Sequence, residues 1–244
     1  MECDLRSKSY FALDLPRIDW EIDGWPDSAP TSQSLGSRLT QVFTESCKLA
    51  LVAESIFNLH RSLAAFPFGE DNRAIEINWR LDAWLSELPT ELLVLDDTSL
   101  PLLPHVIMLN VSYWWLVLRL HEPYYRPAPN ANTPLVNTLR PFGDLSDTFC
   151  DRAASRIVFL VNLYDQLHGL RFFPRCMIQA IQAAGAVFIR QQAAAAVQNH
   201  NQDGIHKCIA SLRTITNTWP CANNYSNFLE NLLQVQASQL STPS

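Results

Sequence analysis

The sequence predicts an all-α protein with a single irregular domain of about seven helices around a buried central helix. Three observations lead to this prediction. Residues 104–127, PHVIMLNVSYWWLVLRLHEPYYRP, contain a helix-length run that is apolar on nearly every side. The flanking segments repeat apolar residues with helical period, and no stretch alternates like a strand. Glycine is scarce, at 7 of 244 residues, which disfavours a turn-rich β fold.

Two prolines set the limits of the central helix. Proline is tolerated in the first turn of a helix, and the residue before a proline is pushed out of the α region. Pro104 and Pro123 therefore predict a helix over 105–121. Its apolar run is shorter than the roughly 20 residues that span a bilayer, so we expect no membrane contact.

The polar residues of the central helix fall on two narrow lines. His105, Ser112 and Arg119 recur every seven residues and form one polar seam. Asn110 and His121 form a second line on roughly the opposite side. A helix that is otherwise apolar all round must have other helices packed around it.

Residues 1–32 precede the first predicted helix and form an acidic arm with seven acids and three bases. The arm contains Trp20, Trp25 and three prolines. Acidic residues mixed with aromatics are typical of disordered activation segments. The other interpretation is an extended arm whose tryptophans pack on the helical body.

The domain is predicted to cover 33–236 and to begin with a helical hairpin. Its first helix, over 33–64, has a wide apolar stripe, and the second, over 70–88, ends at Pro89. The first stripe consists of Leu35, Val42, Leu49, Ile56 and Leu63, flanked by Leu39, Phe43, Ala50, Ala53 and Phe57. The second face consists of Ile75, Asn78, Leu81, Leu85 and Leu88, with Trp84 beside it.

Four further helices are predicted after a proline-containing loop that follows the central helix. Ser146 is the expected N-cap of a helix ending at His168, and Gly169 fits its C-terminal cap. Pro174 opens the next helix, in which Gly185 predicts a close crossing of helices. The remaining expectations are Asp203 as an N-cap, a break at Trp219-Pro220, a last helix, and a frayed tail over 237–244.

Charge and cysteine spacing exclude several functions. A net charge of −6 and a pI near 5.5 argue against a broad basic face that contacts nucleic acid. The six cysteines form no CxxC pair and no zinc-ligand spacing, so we expect no metal or other cofactor in this chain. The start, MECDLRSKSY, has no apolar segment typical of a signal peptide, which favours nucleus or cytosol.

The sequence contains no recognisable catalytic motif, so we expect no enzymatic activity. Arg119 could anchor an acidic ligand, pair with a carboxylate, or extend its charge to the surface. Trp114 and Trp115 could line a pocket or belong to the core. His121 could be a ligand or base, or a histidine satisfied within the core.

Three segments resemble the regulatory region of fungal zinc-cluster transcription factors, called the middle homology region or fungal-specific transcription factor domain. They are INWRLDAWLSELPTEL, LPHVIMLNVSYWWLVLRLHEPYYRP and CIASLRTITNTWPCA. The family pattern is a leucine-rich helix before proline, an apolar helix ending in His-Arg-Pro-Phe, and a late helix ending near Trp-Pro. The counterparts here are Trp84 to Pro89, His121-Glu122-Pro123-Tyr124 and Trp219-Pro220, within a resemblance that covers roughly 35–235.

The resemblance implies a nuclear regulator of transcription by RNA polymerase II, whose partners are regulatory proteins or the transcription machinery. Its helical domain would restrain or release an activation segment in response to a small-molecule effector or a partner, without contacting DNA. The effector is expected beside the central helix, near Trp114, Trp115 and Arg119. His121 and Tyr124 complete the candidate pocket or core signature.

The sequence departs from the family pattern in two places. Glu122 stands where the family usually has arginine. The family reads DNA through an N-terminal zinc cluster of six closely spaced cysteines, and this chain contains no such cluster. We therefore expect a C-terminal regulatory part or a truncated product, with zinc and DNA binding confined to the missing module. The alternatives are a helical interaction scaffold and a helical enzyme that binds a small molecule.

Overall fold

Helices make up nearly all of the chain that can be described. The computed structural model describes residues 38–65, 71–95, 102–125, 141–194 and 199–240, and these ranges contain no strand. The all-α prediction is therefore confirmed. The seven α-helices of these ranges are α1 Leu39–Ala65, α2 Asp71–Glu87, α3 Pro104–His121, α4 Pro141–His168, α5 Ile178–Ala194, α6 Asn199–Thr216 and α7 Ala222–Leu240. Short 3₁₀ turns lie at Thr90–Leu92, Glu122–Tyr124, Leu170–Phe172 and Arg175–Met177.

Helix α3 is the central helix, with the limits that Pro104 and Pro123 predict. Twelve of its 18 residues are buried, and they lie on nearly every side of the helix. Helices α1, α2, α4 and α5 all pack against it. Burial of this much apolar surface is the main favourable term in the folding of such a domain.

The contacts of α3 give the directions of its neighbours. On α2, Asn78 bonds His121 at the end of α3, and Trp84 stacks on Tyr113 nearer its start. Helix α2 therefore runs opposite to α3. On α1, Val42 lies beside the first turns of α3, whereas His60 bonds the Arg119 carbonyl near its end. Helix α1 thus runs parallel to α3, which confirms the predicted antiparallel hairpin of α1 and α2.

One line of partly exposed residues runs along α3 between α1 and α5. These residues are His105, Met108, Ser112, Trp115 and Arg119, and we call the line the α3 seam. On the α5 side, Met177 lies 3.8 Å from the Ser112 hydroxyl. The polar seam predicted from residues 105, 112 and 119 is therefore confirmed, and two apolar residues complete it.

The apolar stripe of α1 is narrower than predicted. Its buried residues are Val42, Leu49, Val52, Ile56 and Leu59. The predicted flanking residues Leu39, Phe43, Ala50 and Phe57 are exposed, so this part of the prediction is wrong. A helix that packs on one side needs only a stripe of about 100°, and apolar residues beyond that width face outward.

Two predicted N-caps are wrong because both helices start earlier. Helix α4 begins at Pro141, where proline suits the first helical position. Ser146 consequently lies inside the helix and is buried. Helix α6 begins at Asn199, so Asp203 lies inside it and pairs with Lys207 at 2.7 Å.

The predicted roles of both structural glycines are confirmed. Gly169 follows α4 with φ of 80°, and its N–H donates to the Tyr164 and Asp165 carbonyls. At Gly185 of α5, an added Cβ would lie 2.6 Å from Leu229 Cδ1 on α7 and 3.3 Å from Cys208 Cβ on α6. Helices α6 and α7 thus approach α5 closely at this residue.

Several predicted segments lie outside the described residues. These are the arm over 1–32, the first residues of the predicted helix over 33–64, and the loop over 126–140. Helix α7 continues to Leu240, so residues 237–240 of the predicted tail are helical, and residues 241–244 lie outside the described ranges.

Candidate functional site

The five residues singled out in the sequence have different surroundings in the described part of the chain. Trp114 is buried and packs edge-to-face on Tyr113, with ring centroids 5.0 Å apart. The Arg152 guanidinium lies 5.3 Å from the Trp114 ring centroid. Trp115 is half-buried on the α3 seam, and Tyr124 is buried just after α3. The two tryptophans therefore face different surroundings.

Arg119 forms the carboxylate pair that the sequence left open as one of its interpretations. Its Nη1 lies 2.5 Å from Glu122 Oε2, and Arg190 Nη2 lies 3.8 Å from the other Glu122 oxygen. The Arg119 Nη2 donor also lies 3.4 Å from His60 Nδ1. The arginine therefore pairs with the acidic residue that departs from the family pattern, and the pair lies at the end of the α3 seam.

His121 is a histidine satisfied within the core. Its Nε2–H donates to Asn78 Oδ1 at 3.0 Å, and the Ser146 hydroxyl donates to its Nδ1 at 2.9 Å. The ring stacks on Phe149, with centroids 4.6 Å apart. Asn78 in turn donates to the Asp82 carboxylate at 3.0 Å. This chain of hydrogen bonds ties α2, α3 and α4 together.

The pair of Ser146 and His121 has the residue types of a nucleophile and its base, but both side chains are fully buried. A nucleophile must reach a substrate carbonyl or phosphorus atom. The Ser146 hydroxyl is not accessible from the surface, so a substrate cannot reach it. The pair was not predicted because Ser146 was assigned to a helix cap. The one usable signal was the position of His121 on an apolar helix, where a buried imidazole needs partners.

Burial lowers the pKa of His121 to about 4, so the folded chain holds a neutral ring. In the unfolded chain the pKa is near 6.5. The unfolded state therefore binds more protons between these values, and stability falls as the pH falls from about 6.5 to 4. Because one pH unit corresponds to about 1.4 kcal/mol, the loss at pH 4 amounts to about 3 kcal/mol.

Denaturant unfolding of wild type and His121→Phe at pH 7 and pH 4.5 measures this dependence. We expect the wild-type chain to lose more stability than the variant, because phenylalanine does not titrate. Burial also lowers the pKa of His60, but His60 is present in both proteins and its effect cancels in the difference. Equal losses in the two proteins would contradict the assignment to His121.

A cleft of about 360 Å³ opens beside the first turns of α3. The α3 residues Pro104, His105, Met108, Leu109 and Ser112 form one side. Its remaining walls are Val42 and Ser46 of α1, Tyr164 of α4, and Pro174. The cleft thus covers the first half of the α3 seam. None of the five predicted pocket residues lines it.

The described residues also bear on metal binding, membrane spanning and thiol reactivity. No group of three or more His, Cys, Asp or Glu residues in the described part of the chain is arranged to hold a metal ion. Among the described helices, none is long and apolar enough to cross a membrane. Burial, reinforced by Asp151, raises the pKa of the Cys150 thiol well above its usual range, so this cysteine stays protonated.

The fold and the cleft define the class of the protein. It is an all-α protein whose central helix is partly exposed to solvent along the α3 seam. Comparison with protein-family models, curated proteins and solved structures finds no match to this chain. The expectation of a transcription-factor domain therefore continues to depend on the three sequence motifs and their order.

Proposed function

We propose that the chain is a regulatory domain of the fungal zinc-cluster transcription-factor type, acting in the nucleus on transcription by RNA polymerase II. The observation that carries this proposal is the order of three motifs at helix ends. Pro89 follows α2, His121 and Pro123 lie at the end of α3, and Trp219-Pro220 separates α6 from α7. The all-α fold around an apolar third helix agrees with the same pattern.

The last motif has a packing role that supports its use as a family signature. The Trp219 indole N–H donates to the Phe173 carbonyl at 2.9 Å. This bond joins the connection between α6 and α7 to the segment that leads into α5. A tryptophan in this place therefore fixes the geometry of the C-terminal helices.

In this proposal the domain regulates transcription through partners and a small-molecule effector, and it has no catalytic role. The chain has a net charge of −6, which disfavours electrostatic binding to the phosphate backbone. A zinc-cluster module or a partner protein would supply the DNA contact. The domain would then favour one of two states of the assembly when the effector binds.

Deleting the gene in its cell of origin and sequencing all transcripts tests the proposed function. We expect a defined set of transcripts to change, and reintroduction of the wild-type gene to restore them. A variant that does not fold, such as His121→Ala at a temperature where it is unfolded, should fail to restore them. A transcript profile that deletion leaves unchanged, across nutrient conditions that vary the effector, would count against the proposal.

An interaction scaffold is the second candidate, because α1 carries an exposed apolar stripe. Phe43 is 60% exposed, Phe57 46% and Leu39 43%. These residues share one face of α1 and lie outside the core. Such a surface is typical of a site that binds another protein.

Stripe variants test the scaffold function. If the stripe is the binding surface, Phe43→Ser with Phe57→Ser should abolish the complex that the wild-type chain forms in cells. Phe228→Ser is a matched control, because Phe228 on α7 is also 46% exposed. Equal loss of the complex in the control would exclude a specific role of the stripe.

A further inference from the structure

The cleft beside the first turns of α3 has the size of a small-molecule site. Its volume of about 360 Å³ lies within the range of roughly 300–1,000 Å³ that is common for ligand pockets. The half-buried residues Met108 and Ser112 form part of its lining. Because the cleft lies over the first half of the partly exposed α3 seam, it gives a ligand direct contact with the central helix.

Among the described residues, the lining of this cleft is mostly apolar, and His105 is its one imidazole. Its apolar contacts come from Val42, Met108, Leu109 and the prolines at 104 and 174. No Asp, Glu, Lys or Arg of the described ranges belongs to the lining. An ionised ligand would lose its hydration here without gaining a carboxylate, lysine or arginine partner from the described lining, which is unfavourable. The lining therefore selects for a neutral molecule with a large apolar part.

Three hydroxyl groups in the lining each donate a hydrogen bond to a backbone carbonyl. Ser46 donates to the Val42 carbonyl at 2.7 Å, and Ser112 donates to the Met108 carbonyl at 2.8 Å. Tyr164 donates to the Phe172 carbonyl at 2.9 Å. A hydroxyl has one hydrogen and two lone pairs. In these bonds all three oxygens retain acceptor capacity and offer no further donor.

We infer that this cleft binds a neutral, largely apolar small molecule that carries hydroxyl or N–H donors. The apolar walls bury its body, and the three hydroxyl oxygens accept its hydrogen bonds. This ligand class differs from the acidic ligand that an anchor at Arg119 would select. Its role as the effector of transcription rests on the proposed function, whereas binding itself is a property of the purified chain.

Three probes with the same ring system test the inference on the purified full chain. At pH 7, 2-naphthol is neutral and has a donor, 2-methoxynaphthalene is neutral without one, and 2-naphthoate is an anion. We expect 2-naphthol to bind about 2- to 10-fold more tightly than the methoxy compound, as one hydrogen bond predicts. The naphthoate should bind at least about tenfold more weakly than 2-naphthol. Dissociation constants from ligand-observed NMR give these ratios.

A cleft-filling variant locates the binding site. Ser46→Phe places a ring in the cleft and should weaken 2-naphthol binding by at least about tenfold. Ser86→Phe is the matched control, because the Ser86 hydroxyl bonds its own helix at Ala83 in the same manner, and this residue is exposed outside the cleft. The control should stay within about twofold of wild type.

Tyr164→Phe provides a second test that adds no bulk. It removes one acceptor and should reduce the preference for 2-naphthol over its methyl ether. The inference is overturned if 2-naphthoate binds best, if the methyl ether binds as tightly as 2-naphthol, or if Ser46→Phe leaves 2-naphthol binding unchanged. None of these results depends on a transcriptional role, so this test and the transcript experiment can fail separately.

Discussion

His121→Ala should lower the free energy of unfolding by about 3–5 kcal/mol. The imidazole is fully buried and stacks on Phe149, so its removal leaves a cavity in the core. It also removes one hydrogen-bond partner each from Asn78 Oδ1 and the Ser146 hydroxyl. A buried polar group that loses a hydrogen bond on folding is not compensated by water. Urea denaturation at pH 7 measures the change.

Two further variants separate packing from hydrogen bonding at this site. His121→Phe keeps the ring volume but loses both hydrogen bonds, so it should cost less than His121→Ala. His206→Ala is the matched control, because His206 on α6 is exposed, and it should change stability by at most about 0.5 kcal/mol. Similar losses in His121→Ala and His206→Ala would show that the network does not hold α2, α3 and α4 together.

Gly185→Val should be the second severe change, lowering the free energy of unfolding by about 3 kcal/mol. A Cβ at this position would lie 2.6 Å from Leu229 Cδ1. Leu229 is fully buried, so it cannot turn away into solvent. The close approach of α6 and α7 to α5 must then open. Thermal unfolding followed by circular dichroism detects the loss.

A double-mutant cycle identifies the contact responsible. Gly185→Ala alone should destabilise, because its methyl group meets Leu229. In a Leu229→Ala background the same change should be neutral or stabilising by up to about 1 kcal/mol, because alanine is the better helix former. If Gly185→Ala costs the same in both backgrounds, the contact with Leu229 does not explain the glycine.

The sequence was most informative where the chemistry of a residue allows only one local backbone conformation or one degree of burial. Pro104 and Pro123 determined the limits of α3, because proline restricts both its own backbone and that of the preceding residue. Gly169 was predictable because a positive φ favours glycine. The apolar circumference of α3 predicted its central position, since such a surface must be covered on every side.

Predictions from the sequence were wrong where tertiary contacts alone determine which residues are buried or paired. Phe43 and Phe57 have the spacing of a buried stripe, yet they are exposed because α1 packs along a neighbouring face. Ser146 is a good N-cap residue, but Pro141 starts α4 earlier and leaves Ser146 facing His121. Local propensity could not reveal a partner 25 residues away in the sequence.

The candidate site was predictable in part. The α3 seam followed from the seven-residue spacing of His105, Ser112 and Arg119, and the cleft lies over the first two of these residues. The hypothesis of a pocket near Trp114, Trp115 and Arg119 stays a prediction, because none of these residues lines the cleft. Ser46 and Tyr164 belong to other helices, so no sequence pattern could predict that they lie beside the α3 seam.

A tethered reporter assay tests most directly the central claim that this chain regulates transcription. The full chain is fused to an unrelated sequence-specific DNA-binding domain in fungal cells, and expression from a promoter carrying its site is measured. We expect the fusion to raise or lower expression relative to the DNA-binding domain alone. Expression identical to that of the DNA-binding domain alone, at equal protein level and nuclear content, would contradict the claim.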